Sequence, residues 1–438
     1  MGLHLASHYS ASEPVVITGI GMVTALGLDR ETVWENICRG ESGVRRLTGI
    51  WGIPDDWALG APVELPGPPD PRLKTVALCE WAAEEALEDA RVDFDNVDRD
   101  RFACAISGHM TDSTFVPERM GYDAKLRPTR TPWHEQCLPN TACATVARQY
   151  GLCGPRIAHS TACASGLIDI LSAVRAIKDG QCDIAVAGSG ESIDPLFAAG
   201  FKKMKVLAHH DDPTQAARPF DRRRNGFVLG EGAGMLVLER LSHAIGRRAR
   251  IYASIDAAKA LAEAHHVTGL DQDSEALTYL IDRTLKQARL RPGDIGYINA
   301  HGTGTQQNDV SETRGIRRAF GRAADEVCVS STKSMLGHLV NAAGSVETAL
   351  TVLALRDGFA PPTRNLTDPD PECNLDCVPI IGRKNRFGHA MKLAIAFGGH
   401  LVALALSRWN DAATGFDYPE DAELDEAREL EPAMSRAA

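Results

Sequence analysis

The sequence predicts a layered α/β fold. Short β-branched or alanine-rich runs alternate with longer helical patterns, many of these runs end in glycine where a strand should turn toward a helix, and one run-plus-helix unit recurs. In chain order the strand-like runs are "PVVITGIG", "RFACAISG", "DIAVAGSGES", "GAGMLVLER", "GYINAHGTGT", "EVCVSSTKS" and "KLAIAFGGH". Between the third of these and the run before it, "SGLIDILSAVRAIKDGQ" spaces Leu167, Ile170, Leu171, Val174 and Ile177 along one side of a helix, with Gly180 as its stop. A second stretch, "SSTKSMLGHLVNAAGSVETALTVLAL", has the same form. Ser160, Thr161 and Gly166 match Ser331, Thr332 and Gly337 at one offset (331 − 160 and 337 − 166, both 171), which predicts a duplicated βα unit with two helix starts facing one site. Residues 110–139 show no clean period and hold several prolines, so they read as an excursion loop.

Composition narrows the function classes. The chain has 438 residues, 44% hydrophobic and 6% aromatic, enough for a two-domain or doubled enzyme. A net charge of −11 argues against a nucleic-acid partner. The stretch 417–438 holds eight acids against two arginines, so residues 411–438 read as an acidic, disordered tail. Eleven cysteines without a repeated spacing point to neither a disulfide framework nor a zinc cage, and a reducing cytoplasm is the expected location. No leader-like start and no run of about 18 apolar residues is present, so no membrane association is expected. Gly19 and Gly21 in "GIGMVTALG" lack the third glycine of a dinucleotide fingerprint and read as a strand-to-loop turn. The pairs His209-His210 and His265-His266 lack a helically spaced second pair, so no metal is expected.

Chemistry concentrates elsewhere. In "HSTACASGLIDIL", Cys163 falls at a predicted helix start, where unpaired amides and the dipole favour an anion; a lowered thiol pKa is expected there. Ala162, Ala164, Ser165 and Gly166 leave room for an acyl group beside the sulfur. "NAHGTGTQQND" puts His301 at the end of a strand, and "STKSMLGHLVNAAGSVE" puts His338 near a helix start, five residues after Lys333. A nucleophile and two imidazoles, each at an element's end, fit acyl-transfer chemistry.

The blocks "STACASG", "RPFDRRRNGFVLGEGAGMLVLE", "NAHGTGTQQND" and "STKSMLGHLVNAAGSVE", in this order, resemble the signatures of β-ketoacyl-[acyl-carrier-protein] synthases of the I/II type, and the likeness runs from "VVITGIGMVTALG" to about Leu406. The resemblance implies a thiolase-like αβαβα fold of five layers in two pseudo-symmetric halves, 14–255 with the cysteine and 256–410 with the histidines, in a homodimer. It also implies a decarboxylative Claisen condensation of a Cys163-bound acyl group with malonyl on an acyl carrier protein, in fatty-acid or polyketide elongation. His301 and His338 would then act on the malonyl group, Lys333 and Glu347 would form the charge network around His338 with Glu312 in support, and Thr268, Thr303 and Thr305 would face the malonyl and pantetheine side. No cofactor would be needed beyond the phosphopantetheine arm of the carrier. The oxyanion donors would be the amides of Cys163 and Ile395.

The family loop Asn-Ser-Phe-Gly-Phe-Gly-Gly is here Leu393-Ala394-Ile395-Ala396-Phe397-Gly398-Gly399. An isoleucine replaces the gatekeeper phenylalanine and Ala396 a glycine, which predicts a differently shaped, less mobile gate. Two other functions share much of the pattern: a coenzyme A-dependent thiolase, which needs a second cysteine in this loop, and a non-catalytic chain-length-factor-like subunit, which lacks the nucleophile. An acidic carrier would require a local basic patch, with Lys202, Lys203, Lys205, Arg45 and Arg46 as candidates.

Overall fold

The computed structural model describes residues 13–48, 58–67, 72–108, 138 and 140–410. Apart from Leu138, the expected excursion loop lies almost wholly outside these residues, as does the acidic tail. In chain order the strands are β1 (Val15–Thr24), β2 (Arg45–Arg46), β3 (Leu59–Ala61), β4 (Phe102–Gly108), β5 (Arg156–Ile157), β6 (Ile184–Glu191), β7 (Leu229–Gly230), β8 (Gly232–Arg240), β9 (Ala253–Ala262), β10 (Ile295–Asn299), β11 (Cys328–Ser330), β12 (Phe359–Ala360), β13 (Arg383–Lys384), β14 (His389–Ala396) and β15 (His400–Arg408).

Ten of them run in the order β11-β10-β14-β15-β9-β1-β8-β6-β4-β5. The two ends of this order are built alike. β4 pairs parallel with β5 and β6, and β10 pairs parallel with β11 and β14. β8 then pairs antiparallel with β6 and β1, and β15 antiparallel with β14 and β9. The halves meet where Val15–Ile17 of β1 pair antiparallel with Ala253–Ile255 of β9. The boundary at 255/256 expected from the sequence falls within β9.

The layers follow from which faces are apolar. β1 and β6 are buried along their whole length and β8 along all but its last residue, as strands covered on both sides must be. Helices Lys74–Asp89 and Thr141–Tyr150 cover the outer face of the first half, and Glu275–Ala288 and Gln306–Phe320 that of the second. Between the halves lie helices Ser165–Lys178 and Ala343–Asp357, packed on each other and on strands of both halves. The second of these is buried from Ala343 to Leu355, so its hydroxyls need internal partners. Thr348 and Thr351 find them by donating to the carbonyls of Gly344 and Glu347, each at 2.6 Å.

The duplication is present, but its register is not 171. Residues 331–337 mimic 160–166 in letters only, because the short helix Lys333–Leu336 intervenes before the second long helix. The structural offset is 178 (344 − 166). It brings the turn Ala162–Ala164 onto Val340–Ala342, the start at Ser165 onto Ala343, and left-handed Gly180 onto left-handed Gly358. Even the backbone strain repeats, with Ala162 at φ 47° and Val340 at φ 40°. The two long helices touch at their first turns. A Cβ on Gly166 would lie 2.6 Å from the Ser345 nitrogen, and one on Gly344 would lie 2.6 Å from the Leu167 nitrogen. Gly166→Ala is therefore expected to cost about 1–3 kcal/mol and to lower Tm by several degrees. A thermal melt matching the parent's would show that the helices can separate without loss.

Candidate active site

Cys163 sits in a single 3₁₀ turn that feeds helix Ser165–Lys178. Ser165 Oγ fixes this turn by accepting from the Thr161 N–H at 3.0 Å and donating to the Ala162 carbonyl at 2.8 Å, which holds Ala162 in its left-handed conformation. Cys163 is thereby aimed away from the helix axis toward the second half of the molecule. There His338 Nε2 lies 3.0 Å from its Sγ.

His338 is held by its backbone and by its ring. Its N–H donates to the Val228 carbonyl at 2.6 Å, and its carbonyl accepts from Gly230 at 3.0 Å. The Val340 N–H donates to Nδ1 at 3.3 Å, so Nδ1 is an acceptor and the proton of the neutral ring is on Nε2, facing the sulfur. The edge of Phe227 packs against the ring, 5.2 Å between centroids. His301 follows the end of β10, and its ring stands 5.3 Å from that of His338 at an interplanar angle of 82°. Its main chain is clamped by Glu312, whose two oxygens accept from the N–H groups of His301 at 2.6 Å and Gly302 at 2.7 Å. Cys163 Sγ and one ring nitrogen of each histidine fall within 4.8 Å of one another.

A buried charge network lies behind the rings. Lys333 Nζ is 2.6 Å from Glu347 Oε1, and Lys392 Nζ is 2.7 Å from Glu347 Oε2; all three side chains are buried. Lys333 and Glu347 stand together as expected. Glu312 serves His301, not His338. Lys392 is absent from the expected set. Burial, with Lys333 and Lys392 adding to it, pushes both histidines well below the ordinary imidazole range, so both rings are neutral near pH 7.

One expectation is overturned. The Cys163 thiol is not lowered: burial pushes it up to about 12, with the nearby Lys333 ammonium opposing. The helix start and Lys333 do favour an anion, but they act against desolvation of a residue that is 7% exposed, and desolvation wins. The resting group is a protonated thiol. Among the described residues, its solvent-exposed competitor for alkylation is Cys153.

The sulfur and both rings open onto a cavity of about 430 Å³, with Thr268, Thr303 and Thr305 in its wall. Thr305 also caps helix Gln306–Phe320 by accepting from the Asn308 N–H. Ile395, Ala396 and Phe397 form another side of the cavity, and Gly398 and Gly399 (φ 84° and 78°) make the turn that follows. Gly399 is fixed by its surroundings, since a Cβ there would meet the Glu263 carbonyl oxygen at 2.1 Å. Ala396 lies in β14 opposite His400 without a positive φ, so it carries no strain in this conformation. Phe201 and Phe227, which the sequence reading passed over, stack edge to face at 5.2 Å beside the sulfur.

Of the basic candidates, Lys202, Lys203 and Lys205 are exposed at the end of helix Pro195–Lys203, and Lys205 reaches the cavity mouth. Leu196, Phe197 and Met204 expose apolar surface on the same segment. Arg45 is paired with Glu64, whereas Arg46 donates to the Asp211 main-chain carbonyl at 3.0 Å, a neutral acceptor.

Comparison with known proteins agrees with this geometry. The β-ketoacyl synthase N-terminal domain matches residues 12–62 and 74–244, and the β-ketoacyl synthase C-terminal domain matches 252–367. A 3-oxoacyl-[acyl-carrier-protein] synthase 2 from Coxiella burnetii is 37% identical over 414 residues, 90% of this chain and 98% of the relative. The tetracenomycin polyketide synthase ketoacyl synthase alpha subunit of Streptomyces glaucescens is 35% identical over 419 residues, 91% and 98% of the two chains. Among solved structures, a type II polyketide ketosynthase in complex with its acyl carrier protein superposes with a TM-score of 0.84 at 31% identity, covering 91% of this chain and 100% of that one.

Proposed function

We propose a division of labour among the residues of a reaction that the relatives fix, since the chain belongs to the β-ketoacyl synthase family, the condensing enzymes of fatty-acid or polyketide chain elongation. The observation that carries it is the buried convergence of one sulfur and two neutral imidazoles within 4.8 Å. In the first step Cys163 Sγ attacks the acyl thioester, its bond to the carrier's sulfur breaks, and the proton lost by Cys163 ends on that departing sulfur. No permanent base is required, which suits a thiol held at about 12. As charge develops on Cys163 Sγ, the His338 Nε2–H at 3.0 Å stabilises it.

In the second step malonyl occupies the vacated carrier position beside Thr268, Thr303 and Thr305. Its C–C bond breaks, carbon dioxide leaves, and the electron pair becomes an enolate whose oxygen accepts from N–H groups of His301 and His338. Neutral rings matter here. An imidazolium would pin the starting carboxylate and could protonate the carbanion before it reacts. The carbanion then attacks the acyl carbon, the amides of Cys163 and Ile395 hold the oxyanion, and collapse expels the Cys163 thiolate. No metal or redox cofactor enters these steps.

The partner is an acyl carrier protein, docking on Lys202, Lys203 and Lys205 beside the exposed Leu196 and Phe197, a basic rim around an apolar centre. The solved relative in complex with its carrier supports a carrier protein as the partner. We further propose a cytoplasmic homodimer; no helix among the described residues is long and apolar enough to cross a membrane. The direct test is incubation with acyl carrier and intact-mass analysis. A thioester on Cys163 is the expected product, and its absence with every carrier and primer tried would favour a scaffold role.

Ile395 sets the shape of the approach to the sulfur. A phenyl ring fills the 430 Å³ cavity differently from a sec-butyl group, and the exchange in a packed wall is worth about 1–3 kcal/mol. Ile395→Phe is therefore expected to narrow the range of accepted acyl primers and to suppress decarboxylation in the absence of primer. Acyl-chain profiles and uncoupled carbon dioxide release identical to the parent's would remove Ile395 from the gate.

A further inference from the structure

Lys392 stands on β14, three residues before Ile395, with its side chain wholly buried. Its ammonium reaches across to β10 and donates to the carbonyls of Ala300 at 3.2 Å and Asn299 at 3.4 Å, the two residues that lead into His301; the Leu393 carbonyl accepts at 2.6 Å. Its charge partner is Glu347 Oε2 at 2.7 Å, the oxygen that Lys333 leaves free.

Resting on the reaction assigned above, we propose that Lys392 is a positioning residue of the decarboxylation step, docking the strand end that carries His301 and supplying the second positive charge behind the two imidazoles. One carboxylate cannot neutralise two ammoniums. Glu347 faces Lys392 from helix Ala343–Asp357 and Lys333 from helix Lys333–Leu336, so the trio keeps an excess of one positive charge. The other carboxylate nearby, Glu312 on helix Gln306–Phe320, is taken up by the N–H groups of His301 and Gly302, and burial pushes it up to about 7 while Lys392 draws it down. His301 is thus faced by Lys333, Lys392, Glu312, His338 and the neutral Cys163 thiol. A net positive surround of buried groups disfavours imidazolium and favours the enolate that the same rings must hold. Burial lowers Lys392 to about 8 against the pull of Glu347, so the charge is retained through neutral pH.

Two variants of the full chain separate docking from charge. Lys392→Gln keeps an N–H donor toward β10 and removes the charge; Lys392→Met removes both. Each leaves Glu347 neutralised by Lys333, so neither strands a buried carboxylate. Cys163 acylation is expected to stay within about threefold of the parent in both. Malonyl-carrier decarboxylation is expected to lose activity at higher pH than the parent, the acid limb moving up by about half a unit or more, because His301 protonates more readily. In Lys392→Met the plateau rate should also fall about tenfold, from loss of docking.

An acid limb coinciding with the parent's in folded Lys392→Gln overturns the charge role. A parent plateau in folded Lys392→Met overturns the docking role. If one variant does not fold, titration of His301 by NMR in the other decides, an unchanged pKa counting against the proposal. Failure of the parent itself to acylate Cys163 would instead refute the assigned reaction.

Discussion

Replacing His301 by Ala is expected to reduce carbon dioxide release from a malonyl carrier by at least about 10²-fold while Cys163 still accepts an acyl group, and His338→Ala should do the same to decarboxylation. The rings form one donor pair, 5.3 Å apart and nearly perpendicular, and both are kept neutral by burial and by the two lysines. Loss of either leaves the enolate oxygen with half its donors among buried groups, where a missing hydrogen bond is worth most. The two variants should differ in the loading step. Of the two rings it is His338 that is hydrogen-bonded to the sulfur, so acylation should slow in His338→Ala and remain near the parent's in His301→Ala. Single-turnover acylation followed by mass, alongside carbon dioxide release, distinguishes them. Parent-rate carbon dioxide release in both variants would refute the assignment of the pair.

Cys163→Ala is expected to abolish acyl loading and to reduce condensation by more than about 10³-fold, with malonyl decarboxylation persisting because the donor pair is intact. Cys163→Ser should fare little better, since an alkoxide is harder to form than a thiolate in a site that already holds the thiol at about 12. For the same reason limiting iodoacetamide at pH 7 should mark exposed Cys153 before Cys163, and the chemistry of Cys163 should emerge with a bound thioester substrate. Condensation by Cys163→Ala at a tenth of the parent rate would show that another residue carries the acyl group.

The layered fold was legible because glycine-ended strands and a helix with one apolar side are local patterns. Ser165–Lys178 appears where Leu167, Ile170, Leu171, Val174 and Ile177 place it. Cys163, His301 and His338 were legible because each stands near the end of an element, the first two among small residues and the third shortly after Lys333. Lys392 was not: in "KLAIAFGGH" it reads as the first residue of a strand, and only the pairing of β14 with β10 brings Lys392 opposite Asn299. The register of the repeat misled because "STKSMLG" imitates "STACASG" in letters, whereas the matching turn lies seven residues later. The thiol's pKa was misjudged for a third reason. A helix start is visible in one dimension, but the depth of burial that outweighs it is a property of the whole assembly.

The paired turns at Ala162 and Val340 carry one more consequence. If left-handed backbone beside Cys163 existed only to present a nucleophile, the second half would have no reason to keep it, yet there it is imposed on a β-branched valine, for which it is costlier still. One copy of the kink presents the nucleophile, and in the other the Val340 N–H donates to His338 Nδ1 at 3.3 Å. The kink recurs at the entry of both central helices, and both copies serve the same site. Asn341 occupies the counterpart of Cys163, its N–H donating at 3.1 Å to Glu191 of the opposite half. Each half thus buttresses the other's bend, and a sequence change near Val340 is a change to the footing of the nucleophile.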